Sequence, residues 1–107
     1  MKADNTLRLH RTVGDTGDLA IKLHVVRDGV TEVAPDAALV VLTVGDPSGS
    51  FTLSGVSAGQ SDGSFSFAVD ANLGALPAGD YPIDVEVTTG GSTDTWAFGI
   101  LQNAAGV

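Results

Sequence analysis

Few side chains in this sequence of 107 residues can do chemistry, and their spacing decides what that chemistry would be. Cysteine is absent, which removes disulfides, thiolate nucleophiles and cysteine-based zinc sites. The two histidines are His10 and His24. A metal centre needs His, Cys or carboxylate groups converging at ligand spacing. These two would approach each other only if the strands that carry them pair; otherwise they are ordinary surface histidines. Aspartates recur at Asp15, Asp18, Asp28, Asp36, Asp46, Asp62 and Asp80, each next to Gly, Pro or Ser. That is the placement of turn-makers, whose carboxylates bond to nearby backbone. Gly14-Asp15-Thr16-Gly17-Asp18 has some of the composition of a calcium loop but not its full ligand pattern. Asp84 and Glu86 share one face of one strand. A carboxylate pair can hydrolyse glycosides, but nothing around these two implies a cleft, and a solvated sheet face is the simpler reading. The serines include no nucleophile elbow, and Gly90-Gly91 is followed by no helix that would make it a phosphate loop. Tyr81 and Trp96 are the right types for a sugar platform, yet their alternation turns both inward, towards a core. No catalytic, cofactor-binding or metal-ligating residue is assigned, and no enzyme activity or cofactor is expected.

The elements that would carry these residues are strands. Apolar side chains alternate with polar ones at period two, and turn residues punctuate them. Leu7 and Leu9 alternate with Arg8 and His10. After the Gly14 to Asp18 loop, Leu19, Ile21, Leu23 and Val25 give the clearest half-buried strand. Asp28-Gly29 predicts a hairpin turn with positive φ at both central positions. Val30 to Ala34 is a short strand broken by Pro35-Asp36. The apolar run from Leu39 to Val44 predicts a central strand covered on both faces. Asp46-Pro47-Ser48-Gly49 is a turn. Phe51, Leu53 and Val56 mark the next strand, loosened by Gly55 and Gly59. Asp62-Gly63 turns into Phe65, Phe67 and Val69. The one helical turn lies around Leu73 and Leu76, in Asn72 to Gly79. Tyr81, Ile83, Val85 and Val87 form a strand with Pro82 facing outward near its start, where a missing donor is tolerated. Gly90-Gly91 makes a hairpin into Trp96, Phe98 and Ile100, and Gln102 to Val107 reads as a tail. Seven to eight short strands at this spacing predict an all-β fold: a single antiparallel, immunoglobulin-like sandwich. One domain spans 1–107, with 1–5 and 102–107 as flexible or assembly-ordered tails.

Length and charge narrow the function classes. A chain of this length buries roughly two-thirds of its unfolded surface and needs no staples. The longest apolar run, Ala37 to Leu42, is too short to span a membrane. Met1-Lys2-Ala3-Asp4-Asn5 has no apolar run behind its charge, so no signal peptide is expected. Net charge is −8. All five basic residues (Lys2, Arg8, Arg11, Lys22 and Arg27) precede Asp28, and ten of the thirteen acidic residues follow from Asp28 onward. A phosphate backbone would be repelled by most of the domain, so nucleic-acid binding is not expected. The acidic excess serves solubility. The uneven split also fits a basic N-terminal segment seated against the acidic face of a neighbouring copy.

Certain stretches carry a family likeness. A Gly-Asp-Thr loop precedes an alternating strand, a short Asp-Gly hairpin follows, and then comes the apolar strand at Leu39 to Val44. An Asp-Gly turn leads into Phe65-Ser66-Phe67. The run Leu76-Pro77-Ala78-Gly79-Asp80-Tyr81-Pro82-Ile83-Asp84-Val85-Glu86-Val87 is followed by Gly90-Gly91 and by Thr95-Trp96-Ala97-Phe98-Gly99-Ile100-Leu101. From Leu7 to Leu101 this order resembles the small β-sandwich domains of tailed-bacteriophage virion proteins. The N-terminal domain of baseplate upper proteins and small stand-alone tail-associated sandwich proteins are the nearest cases. The resemblance implies a non-enzymatic structural protein located in the virion and assembled in the host cytoplasm. Members of the baseplate type usually continue into oligomerising or receptor-binding regions, and this sequence stops at Val107, which favours a connector, adaptor or decoration piece.

The expected function is therefore an adaptor of the tail, baseplate or fibre-attachment region. It would touch other virion proteins and copies of itself in a symmetric oligomer, without nucleic acid or membrane. Met1 to Asn5 and Gln102 to Val107 would act as clamps. A capsid decoration or cement protein is the alternative, and a carbohydrate-binding or adhesin-type module is the alternative from another class. The last predicts an exposed aromatic platform or a calcium site.

Overall fold

Period-two alternation becomes strand almost wherever the sequence predicts it. The computed structural model describes residues 6–46 and 49–105. Along these run β1 (Thr6–Thr12), β2 (Leu19–Lys22), β3 (His24–Arg27), β4 (Val30–Val33), β5 (Leu39–Asp46), β6 (Gly49–Ser54), β7 (Val56–Ser57) and β8 (Ser64–Phe67). A single helical turn, α1 (Ala71–Gly74), precedes β9 (Gly79–Thr89) and β10 (Ser92–Ala104). The expected turn at Asp46 to Gly49 centres on residues 47 and 48, which lie outside the described residues, as do 1–5, 106 and 107.

One sheet has five strands in the order β1-β10-β9-β5-β6, and a second has three in the order β2-β8-β7. The inward side chains of both enter one core. Val40, Leu42 and Val44 of β5, Ile83, Val85 and Val87 of β9, and Leu101 of β10 meet Leu19 and Ile21 of β2 and Phe65 and Phe67 of β8. The result is an all-β sandwich. Its strand order is that of the immunoglobulin type, with β2, β8 and β7 in one layer and β5, β9 and β10 in the other. The Tyr81 hydroxyl donates to the Pro77 carbonyl at 2.8 Å, the corner bond of that architecture. Asp70 caps α1 by accepting from the Leu73 N–H at 2.9 Å, and Leu73 and Leu76 close that end of the core.

Two of the eight expected strands are each broken in two, which gives the ten observed. The strand from Leu19 breaks at Leu23. There the N–H donates to the Gly63 carbonyl at 2.8 Å while the carbonyl accepts from the Ala34 N–H at 3.0 Å. One strand edge is thus handed from β8 to β4, and β3–β4 continues as a separate hairpin. Its turn has positive φ at Asp28 (51°) and Gly29 (77°), as Asp-Gly predicts. The second break is Gly55, where the chain leaves β6 for β7 in the other sheet. A Cβ at Gly55 would lie 3.0 Å from the Phe67 ring.

Three expectations need correction. The run at Leu39 to Val44 is not covered on both faces: Val40, Leu42 and Val44 are fully buried, but Leu39 is 56% exposed, because no layer lies over the outer side of the five-stranded sheet among the described residues. Gln102 to Ala104 are not tail but the end of β10, paired with β1 and, through Asn103, with Gly79 of β9. The sheet is also not wholly antiparallel, since β1 runs parallel to β10 from Thr6↔Phe98 to Thr12↔Ala104. Pro82 sits just past Val44↔Ile83, the last β5–β9 pair, so its missing donor leaves no ladder bond unmade on that side.

Candidate functional site

The carboxylates singled out in the sequence are mostly turn-makers in the structure. Asp15 accepts through Oδ2 from the Thr12 N–H at 3.2 Å. Asp36 ties down the loop after β7, accepting from the Ser57 hydroxyl at 2.8 Å and from the Ser61 N–H at 3.2 Å. Asp62 accepts from the Ser64 N–H at 3.0 Å and lies 3.6 Å from Lys22 Nζ. Its pKa is lowered, chiefly by hydrogen bonding from the Ser64 hydroxyl; desolvation, the next largest effect, opposes this, and the Ser64 backbone N–H and Lys22 add to the lowering. His10 and His24 are both exposed and lie in different sheets, so the strands that carry them do not pair. No group of three or more His, Cys, Asp or Glu residues is placed to hold a metal among the described residues. Tyr81 and Trp96 are buried and offer no sugar platform.

A concavity of about 410 Å³ does form at the Gly14 to Asp18 loop, lined by His10, Arg11, Asp15, Thr16, Gly17, Asp18 and Leu19. Its central cation is turned inward. Arg11 is only 7% exposed. Its Nη1 donates to Asn103 Oδ1 at 2.9 Å and to the Leu73 carbonyl at 3.3 Å, and its Nη2 donates to the Asp15 carbonyl at 2.8 Å. Asn103, 2% exposed, uses its Nδ2 to donate to the Leu76 and Pro77 carbonyls at 2.8 and 2.9 Å. Arg11 and Asn103 are register partners across β1 and β10. They form a buried clasp joining both terminal strands to the corner before β9. Arg11 is therefore no part of a basic docking segment, because it is buried and both its Nη groups donate within the fold. The sequence reading missed this pair, although the signal was present: Leu7, Leu9, Arg11 and Leu101, Asn103 continue the inward alternation.

One surface of mixed character is the outer face of the five-stranded sheet. Cross-strand register places Arg8 of β1 beside Ile100 of β10, and Ile100 beside Pro82 of β9. Thr6, Phe98, Asp84 and Thr43 follow one another across the next row. Ile100 is 39% exposed, and Phe98 and Val41 are half-buried. Asp84 and Glu86 are half-buried in the middle of this face. Asp84 Oδ1 is buried with no hydrogen-bond partner among the described residues. The pair lies on a sheet face, as expected, between Val41 and Thr43 on one side and Thr95 and Phe98 on the other. No carboxylate of the described residues pairs with Arg8. No protein-family model matches the sequence, and no curated protein is significantly similar to it.

Proposed function

We propose that the protein is a non-enzymatic structural component of a bacteriophage virion, an adaptor or connector of the tail, baseplate or fibre-attachment region that works through protein–protein contacts. The observation that carries this reading beyond the sequence resemblance is the parallel pairing of β1 with β10. A hairpin or an antiparallel terminal pair would bring the first and last strands' outer ends to one side. Here the chain enters at the Thr6 end of the seam and leaves at the Ala104 end, about 20 Å away for seven paired residues. In a body of 44 × 25 × 23 Å, that puts the two chain ends at separate places where different neighbours can be met. This suits tier-to-tier docking better than a free-standing binding module. Catalysis is disfavoured by the chemistry of the side chains: the buried polar groups of the clasp bond to each other and to backbone carbonyls. A sugar-binding module is disfavoured by the burial of Tyr81 and Trp96.

Electron microscopy of virions labelled with an antibody against the chain tests the reading. Label at the tail end is the expected result. Label spread over the head would make it a decoration protein, and purified virions without label would remove it from the particle.

A further inference from the structure

We propose that the outer edge of β6 is a self-docking site, on which β6 of a second copy of this chain pairs antiparallel about a two-fold axis through Thr52. β6 ends the five-stranded sheet, and no strand among the described residues pairs with its outer edge. The register with β5 fixes which backbone groups lie there. The Gly55 N–H donates to the Val40 carbonyl at 2.8 Å, so Leu53 with Leu42 and Phe51 with Val44 are the pairs that exchange bonds between the two strands. The N–H and C=O groups of Ser50, Thr52 and Ser54 therefore point to the open edge. All three residues are exposed. Other edges are guarded: β1 carries Arg8 and His10, β2 carries Lys22, and β7 has only 2 residues. No charge guards β6, since no charged residue stands between Asp46 and Asp62.

The residue order names the occupant. Gly49-Ser50-Phe51-Thr52-Leu53-Ser54-Gly55 has the same residue character read from either end, with Thr52 at its centre. An antiparallel two-fold pair centred there sets Thr52 opposite Thr52, Ser50 opposite Ser54, and Phe51 opposite Leu53 of the second copy. The pairs made by residues 50, 52 and 54 are the ones that exchange bonds, so each N–H and C=O left open on the two edges finds a partner. Phe51 is half-buried against the core, and Leu53 of the second copy comes to lie beside it on the core side of the joined sheets. Each copy carries a net charge of −8, and an uncharged edge is where two such copies approach with least repulsion. The stretch from Ser50 to Ser54 is only about 17 Å long, so the contact falls well short of the roughly 800 Å² per partner of a standard interface. The pairing is therefore weak in dilute solution and becomes effective between copies held close in an assembly. It rests on the reading of the chain as a contact-making protein, but not on the virion as the place.

The absence of cysteine allows a test that reads the register. Residues opposed in a bond-exchanging pair have Cα atoms about 5.5 Å apart, within disulfide range. With the full chain at high concentration under mild oxidation, Thr52→Cys should form a disulfide dimer about tenfold faster than Ser50→Cys or Ser54→Cys alone, because in those two the introduced thiols stand about 14 Å apart along the paired strands. Mixing Ser50→Cys with Ser54→Cys should raise the rate about tenfold above either alone, since the pairing sets one position opposite the other. Adding Thr52→Lys to both members of the mixture should slow it about fivefold, and Thr52→Lys on one with Thr52→Glu on the other should restore it. Melting temperatures check that each variant folds, and the Thr52→Cys comparison and the mixing experiment each stand alone should a variant of the other unfold. Equal rates for the three single variants, or a mixture no faster than its parts, would overturn the proposal. Either outcome, together with virion label at the tail end, would leave the proposed function standing and remove only this edge.

Discussion

Replacing either member of the Arg11–Asn103 clasp should destabilise the protein unequally, and the structure says in which order. Asn103→Ala removes the 2.9 Å acceptor of a buried guanidinium and both donors to the corner. Pro77 O keeps the Tyr81 hydroxyl, but Leu76 O loses its side-chain donor, and Arg11 Nη1 is left with a single 3.3 Å bond to Leu73 O. One charged donor reduced to a single long bond and one carbonyl that loses its side-chain donor, each at roughly 1–3 kcal/mol, give about 3–4 kcal/mol. Arg11→Met removes the charge itself. Asp15 lies in an exposed loop where water can replace the lost donor, and Leu73 O keeps its bond from the Leu76 N–H at 3.2 Å. Only Asn103 Oδ1 is orphaned, while the desolvation of the cation and its Nε, unpartnered among the described residues, are relieved. That leaves about 2 kcal/mol. The double variant should cost about 1–2 kcal/mol less than the two singles added together, since both remove one shared bond. Urea unfolding at 25 °C, followed by the fluorescence of Trp96, the one tryptophan, measures all three. At about 4–5 °C per kcal/mol, the melting temperature should fall by about 15 °C for Asn103→Ala and by about 9 °C for Arg11→Met. If Arg11→Met cost more than Asn103→Ala, or if the two were additive, the clasp would not be the unit described.

Other perturbations have equally definite outcomes. Gly99→Ala should cost about 3 kcal/mol by the same urea assay, because a Cβ there would fall on the Leu7 carbonyl and force β1 off β10. Gly63→Ala should cost a similar amount by thermal melting, since φ is 80° and the new Cβ would meet the Leu23 carbonyl. Tyr81→Phe should lose about 1 kcal/mol with the 2.8 Å corner bond. The lowered pKa of Asp62 means that its contribution to stability is present above the usual carboxylate pKa of about 4 and is lost as pH falls through the lower folded value. Asp62→Asn should therefore flatten the acid side of a plot of melting temperature against pH below about 4, and an unchanged slope there would contradict that account.

The fold was legible because alternation and turn chemistry agree along most of the chain. Leu19 to Val25, Tyr81 to Val87 and the Asp28-Gly29 turn behave in three dimensions as their residue types require. What alternation could not show was where a strand changes partner. Leu23 and Gly55 look like ordinary members of their runs, yet at each the backbone bonds pass from one neighbour to another. The tail expected from Gln102 was misjudged for a related reason: Gln and Asn read as polar, while strand pairing and the clasp bury Asn103. Parallel pairing of the first and last strands is a contact between residues more than ninety positions apart, which local pattern does not reach. The candidate surface was half legible. Asp84 and Glu86 were expected on one sheet face, but their position relative to Arg8 depends on the strand order.

The clasp and the outer face are connected through β1. Among its residues Arg11 points into the core and Arg8 points out, three positions apart on one strand of period two. An antiparallel hairpin would hold such an edge strand by its own turn. A parallel terminal strand has no turn to its neighbour, so its register must come from side chains, and the Arg11–Asn103 pair supplies it. The same register decides that Arg8 lies beside Ile100 rather than one residue away, where it would face the core instead of the open sheet. Two arginines that look equivalent in a basic N-terminal segment therefore do opposite work. The buried one fixes the strand, and in doing so it sets the exposed one on the open face of the sheet, beside Ile100.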